Sequence, residues 1–132
     1  MIKKPGGKPD ESPQILIVED EKIIALDLQR RIEKFGCEVV GLSSDGEEAI
    51  ELSRKHLPDL VLMDIMLDGE VDGIQAAIQI YKTLQIPIIF LTAYADQQTL
   101  QSAKEAHPFG YVLKPFKERE LYSTIDIALY KS

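Results

Sequence analysis

Apolar residues along the chain fall into two alternating textures. Five short runs are almost continuously apolar: Ile15-Leu16-Ile17-Val18, Val39-Val40-Gly41-Leu42, Leu60-Val61-Leu62-Met63, Ile88-Ile89-Phe90-Leu91 and Tyr111-Val112-Leu113. A strand covered on one face alternates apolar with polar; a strand covered on both faces does not, so these runs predict parallel strands buried between layers. The intervening stretches carry helical spacing. Ile24, Leu28, Ile32 and Phe35 share one face of a helix that stops at Gly36, and Ala49, Ile50 and Leu57 mark a second helix, entered through Asp45-Gly46 and ended by Pro58. Ile74, Ala77, Ile78 and Tyr81 define a third helix, and Leu121, Ile125, Ala128 and Leu129 a fifth. The fourth, over residues 96–106, offers only Leu100, Ala103 and Ala106 to the core. Each large buried aliphatic side chain contributes ~1.5–3 kcal/mol, so this helix is expected to be held less firmly than its neighbours. Five successive strand–helix units without a long interior linker predict a doubly wound α/β domain over residues 14–131. Residues 1–13, with three Pro, two Gly and three Lys, are expected to form a flexible leader.

In open α/β sheets ligands bind beyond the carboxyl ends of the strands. The polar residues there are Glu19-Asp20 after the first run, Ser43-Ser44 after the second, Asp64 after the third, Thr92-Ala93 after the fourth and Lys114-Pro115 after the fifth. Each has a bland explanation: Asp20 as a helix cap, Thr92 as an ordinary strand end, Lys114 as a surface lysine. The predicted fold nevertheless brings three carboxylates, a hydroxyl and an ammonium to one edge. Carboxylates that close repel unless one takes a proton or a cation sits among them. Hard oxygen ligands in small number suit Mg²⁺, which keeps several waters and accepts a phosphate oxygen. An Asp carboxylate can attack phosphorus, and in-line transfer needs the positive charge that Mg²⁺ and Lys114 would supply. The expected product is a phosphoaspartate.

These residues resemble the receiver domain of two-component response regulators. The resemblance runs over about residues 14–131 and rests on Ile15-Leu16-Ile17-Val18-Glu19-Asp20-Glu21, Leu62-Met63-Asp64-Ile65-Met66, Asp72-Gly73, Phe90-Leu91-Thr92-Ala93-Tyr94 and Gly110-Tyr111-Val112-Leu113-Lys114-Pro115-Phe116. It implies a flavodoxin-like five-stranded parallel sheet of order 2-1-3-4-5 with five helices. It further implies Asp64 as phosphoacceptor, and Mg²⁺ held by Asp20, Asp64, Glu19 through water and the Met66 backbone carbonyl. Thr92, Ala93 and Lys114 would contact the phosphoryl group, Lys114-Pro115 would be a cis peptide, and Thr92 with Tyr111 would form a switch pair. The implied partners are a histidine kinase or histidine phosphotransfer protein as donor, a downstream protein or fused output module, and a second copy through the surface of the fourth helix, fifth strand and fifth helix. Two departures stand out. The acidic pair is Glu-Asp instead of Asp-Asp, and the loop after Asp64 lacks the usual proline and is one residue longer. Met66 and Tyr94 occupy the positions that tune phosphoaspartate hydrolysis; neither carries an acid or amide to orient water, so slow self-dephosphorylation is expected.

Charge and composition narrow the alternatives. There are 22 acidic residues against 15 Lys and Arg, a net charge of −7, and no basic run, which disfavours direct nucleic-acid binding. No apolar run approaches a membrane span, and one cysteine, Cys37, fits a reducing, cytoplasmic setting and reads as a small apolar filler. Asp68-Gly69-Glu70-Val71-Asp72-Gly73 resembles the start of a calcium loop, but the twelfth position is Gln79 and a strand precedes it, so a solvated acidic loop is the better reading. His56 and His107 follow helices with no partner placed for zinc. A true phosphatase of the dehalogenase type usually has a second Asp two residues after its nucleophile, where Met66 stands. The intact set of five polar residues argues against a binding module that has lost phosphorylation.

Overall fold

The computed structural model describes residues 1–4, 6–8, 11–67, 71–93 and 101–131. Five strands, β1 (Gln14–Val18), β2 (Glu38–Ser43), β3 (Leu60–Asp64), β4 (Ile88–Thr92) and β5 (Gly110–Leu113), form one parallel sheet in the order β2-β1-β3-β4-β5. The helices are α1 (Lys22–Lys34), α2 (Gly46–His56), α3 (Gly73–Leu84) and α5 (Glu118–Lys131), with α4 represented by helical residues 101–103 and a 3-10 turn at Lys104–Ala106. This is the doubly wound sheet expected from the alternating runs. Residues 94–100, including Tyr94 and Leu100, lie outside the described residues, as do residues 68–70 of the acidic loop.

The apolar runs divide their side chains between two layers. Ile15, Ile17, Leu60, Leu62, Ile89, Leu91 and Val112 point to one face, where they pack with Leu28, Ile32, Leu121, Ile125 and Leu129 of α1 and α5. Leu16, Val18, Val61, Met63, Ile88 and Phe90 point to the other, against Ala49 and Ile50 of α2, Ala76, Ala77 and Ile80 of α3, and Ala103 and Ala106 of α4. Both faces of β1, β3 and β4 are therefore sealed, which is why those runs do not alternate, whereas the edge strands β2 and β5 leave Leu42, Tyr111 and Leu113 exposed.

Two helix faces differ from expectation. The buried side of α3 is Gly73, Ala76, Ala77 and Ile80, while Ile74 and Ile78 are only half-buried. The same i, i+3, i+4, i+7 spacing holds one position earlier, because the small residues let α3 approach the sheet closely and leave the larger ones at its flanks. Leu57 is not a core residue: it is exposed and caps α2 in the left-handed conformation at φ 45°. The other boundaries follow local chemistry. Asp45 accepts the Glu48 amide at 2.8 Å and Asp72 that of Gln75 at 2.8 Å, starting α2 and α3. Gly36, at φ +94°, lets the chain turn out of α1 into β2. Within residues 1–13, Ile2 is buried in the α1/α5 layer and its amide donates to the Phe35 carbonyl at 2.7 Å. Among the described residues, no helix is long and apolar enough to cross a membrane.

Candidate functional site

Parallel pairing aligns the carboxyl ends of the central strands, and the polar strand-end residues meet there. Glu19 follows β1 directly; its amide donates to the Ser43 carbonyl at 2.9 Å, tying the acidic turn to the end of β2. Asp64 closes β3 opposite Leu91, and Thr92 closes β4 opposite Leu113. The Lys114 amide donates to the Thr92 carbonyl at 2.8 Å, so the lysine leaves β5 beside the same edge, and its bond to Pro115 is cis.

Carboxylate oxygens of Glu19, Asp20 and Asp64 lie within 4.8 Å of one another, the one such acidic or metal-ligating group among the described residues. Asp20 does not cap α1: the cap position is Glu21, and no side chain bonds the first turn. That leaves the Asp20 carboxylate without the structural task that the bland reading gave it. Lys114 Nζ donates to Glu19 Oε1 at 2.5 Å and to Asp64 Oδ2 at 3.0 Å. Asp64 Oδ1 accepts the Met66 amide at 3.0 Å, which orients the carboxylate from the far side. Glu19 and Asp64 are both buried, at 3% and 5% exposure. Burial, with Asp64 alongside, pushes the Glu19 carboxyl up to about 8, against the opposing pull of Lys114. Burial alone would lower Lys114; its hydrogen bonds to the two carboxylates outweigh that and hold it charged.

Two buried carboxylates and a third within reach, with one ammonium among them, leave a net negative, oxygen-lined site. A divalent cation suits it: the donors are hard, and Mg²⁺ tolerates a partial protein shell. Glu19, Asp20 and Asp64 are the side chains positioned to hold it.

The remaining candidates are placed as follows. Thr92 is buried and its Oγ1 donates to the Ala93 carbonyl at 2.8 Å; Ala93 itself is exposed and puts no bulk at this edge. The Met66 side chain points to solvent, 70% exposed. Tyr111 lies across the sheet from Phe90, with ring centroids 6.1 Å apart and planes at 23°, and is about one-third exposed. Cys37 is buried, and burial pushes its thiol up to about 12, as suits an inert filler. His107 stacks on Tyr81 at 5.1 Å, away from the acidic cluster. Sequence reasoning passed over Gly73 as a spatial requirement. A Cβ on it would stand 1.9 Å from the Asp64 carbonyl oxygen, so only glycine lets α3 start this close to Asp64. The Asp72-Gly73 pair was a readable signal of a helix start, but not of what that start touches.

Comparison with known proteins agrees with this architecture. Residues 15–126 match the response regulator receiver domain. The chain is 39% identical over 116 residues to the transcriptional regulatory protein PdtaR of Mycobacterium tuberculosis, covering 88% of this chain and 56% of that protein. It is 34% identical over 122 residues to the phyllosphere-induced regulator PhyR of Methylorubrum extorquens, covering 92% and 45%. The chain thus spans about half the length of the curated relatives it matches. Among solved structures, the signal receiver domain of a modulated diguanylate cyclase from Desulfovibrio desulfuricans superposes with a TM-score of 0.87 at 39% identity, covering 92% of this chain and 96% of that one. The receiver domain of sensor histidine kinase PA1611 from Pseudomonas aeruginosa, with a magnesium ion coordinated in its active-site cleft, gives 0.81 at 30% identity, covering 90% and 98%. The fold and the acidic edge define a two-component signalling domain. This chain belongs to the response regulator receiver family.

Proposed function

We propose that residues 14–131 form a phosphorylatable receiver in which Asp64 accepts a phosphoryl group from a phosphohistidine of a kinase or phosphotransfer protein in the cytoplasm. The observation that carries this reading is the Lys114 ammonium shared between Glu19 and Asp64, beside an Asp20 that has no capping role. An Asp64 carboxylate oxygen attacks phosphorus, the P–O bond forms as the P–N bond breaks, and the donor imidazole keeps the electron pair. Glu19, Asp20, Asp64 and the Met66 carbonyl would hold Mg²⁺, which when bound neutralises charge on the phosphoryl oxygens. Lys114 moves from its carboxylate partners to a phosphoryl oxygen. The Met66 amide keeps Asp64 aimed. Thr92 Oγ1 turns from the Ala93 carbonyl to donate to the phosphoryl group, and the exposed Ala93 leaves that approach open.

The output is a surface change. Movement of Thr92 vacates space beside β4, and Tyr111, packed on Phe90 and one-third exposed, rotates into it. That rearranges the α4–β5–α5 face, where Leu113 and Ile127 are already exposed and available to a downstream protein, an attached output module or a second copy. The donor approaches on the other side. A groove of about 720 Å³ runs from Ile23, Leu26 and Arg30 of α1 to Lys114, Pro115 and Phe116, and so leads directly to the acceptor edge. The domain supports its own phosphorylation and turns over no separate substrate.

Beryllium fluoride with Mg²⁺, a phosphoaspartate mimic, tests the reading by amide NMR. Shifts are expected at Asp64, Thr92, Lys114 and Tyr111 in the native protein and none in Asp64→Asn. An unperturbed native spectrum, or an equal response from Asp64→Asn, would overturn the assignment of the phosphoacceptor.

A further inference from the structure

The amino-terminal ends of the strands lie at the edge remote from the acidic cluster, and residues 1–4 are built into it. A helix leaves its last carbonyls without partners; here the Phe35 carbonyl at the end of α1 accepts the Ile2 amide at 2.7 Å. The Ile2 side chain is 3% exposed and belongs to the same buried cluster as Phe35, Cys37 and Leu129. Met1 lies over the open face of Gly36, where a Cβ would come within 2.6 Å of its Cε. Lys4 Nζ stands 3.9 Å from Asp59 Oδ2 and 3.7 Å from Glu11 Oε2. That Asp59 oxygen is itself fixed by the Gln14 amide at 2.8 Å, at the entry to β1. On the α5 side, Met1, Lys3 and Lys4 face Asp126 and Tyr130 across a shallow groove of about 330 Å³.

We infer that residues 1–4 are a strap, the chain's own occupant of the groove between the carboxyl-terminal turn of α1 and the last turns of α5. The strap satisfies a helix-end carbonyl, fills an apolar gap with Ile2 and is steered by the Lys4–Asp59 attraction. Its effect is on the firmness with which the end of α5 is held. It touches none of the groups at the acidic edge, so it acts on stability and on α5 without acting on Mg²⁺ binding.

The test compares the full chain with Ile2→Ala, Ile2→Asp and the exposed control Lys3→Ala. It uses urea unfolding, amide hydrogen exchange and Mg²⁺ titration. The loss expected is that of the segment's own docking free energy. Ile2→Ala is expected to raise the unfolding equilibrium constant roughly tenfold, with Ile2→Asp at or above that value. Exchange should quicken most at residues 35–37 and 126–130, while Mg²⁺ affinity and Lys3→Ala stay within about twofold of the native chain. If Ile2→Asp fails to fold, Ile2→Ala carries the test. An Ile2→Ala variant as stable as Lys3→Ala, or one whose exchange at those two segments matches the native rate, would overturn the strap.

Discussion

Replacing Gly73 with alanine is expected to damage this domain more than any other glycine-to-alanine change in its sheet or helix starts. The new Cβ would lie 1.9 Å from the Asp64 carbonyl oxygen and 3.2 Å from that of Ile65, where ordinary contact begins at 3.4 Å. The start of α3 must therefore retreat by about 1.5 Å, or β3 must bend at Asp64. Neither obstacle is a flexible side chain, so relaxation is poor. Overpacking of this kind costs ~1–3 kcal/mol, and the upper half of that range applies because backbone meets backbone. For a domain of this size that is a fall in Tm of roughly 10 °C. Gly110→Ala supplies the control, since its Cβ would meet only Thr124 Cγ2 at an ordinary 3.4 Å. Thermal melts by circular dichroism decide the question. A Gly73→Ala domain melting within about 2 °C of the Gly110→Ala domain would refute the close-approach argument. A folded variant should also bind beryllium fluoride more weakly, because a displacement of about 1 Å at a reacting group is worth up to ~100-fold.

Four further outcomes follow from the same geometry. Removing the α2 cap with Asp45→Ala should cost ~1 kcal/mol in urea unfolding, and an unchanged midpoint would mean that the 2.8 Å bond to Glu48 contributes nothing. Mg²⁺ must displace the proton that burial keeps on Glu19 up to about pH 8, so affinity should climb between pH 6 and 8 and level above; a flat calorimetric profile contradicts this. The Cys37 thiol, pushed from 9.0 to about 12, stays protonated in the folded chain while the unfolded chain ionises, so its contribution to stability is intact below pH 9 and lost as pH rises towards 12. Native protein should accordingly resist thiol reagents at pH 8, and labelling as fast as in urea would contradict it. Phosphorylated protein should lose its phosphoryl group slowly, since the exposed Met66 side chain cannot orient water; a half-life of only seconds in the purified chain would count against that.

Much of this was legible in the residue order because two periodicities carry it. All five continuous apolar runs are strands, but only β1, β3 and β4 are covered on both faces; β2 and β5 are the sheet's edges and are partly exposed. The rule that sites form at the carboxyl edge then collects Glu19, Asp20, Ser43, Asp64, Thr92 and Lys114 as candidates. What was not legible depends on approach distance, which spacing does not encode. The buried stripe of α3 sits one residue earlier than its largest side chains suggest, because Ala76 and Ala77 pack closer than Ile74 and Ile78 can. Leu57 fits the helical spacing of α2 yet serves as its left-handed cap. Ile2 is one apolar residue in a polar leader, and no periodicity exists over a single position, so its burial at the end of α1 was invisible. At the site, the residue types pointed to a cation and a phosphoryl group, but the sharing of Lys114 between Glu19 and Asp64 required coordinates.

The central claim is that Asp64 is the residue phosphorylated. Incubation of the full chain with a small-molecule phosphodonor and Mg²⁺, followed by peptide mass spectrometry, tests it most directly. One phosphoryl group on the peptide containing Asp64, lost on chelation of Mg²⁺ beforehand and absent from Asp64→Asn, is the predicted result. Equal labelling of Asp64→Asn, or a phosphoryl group carried by another residue of the native chain, would contradict it.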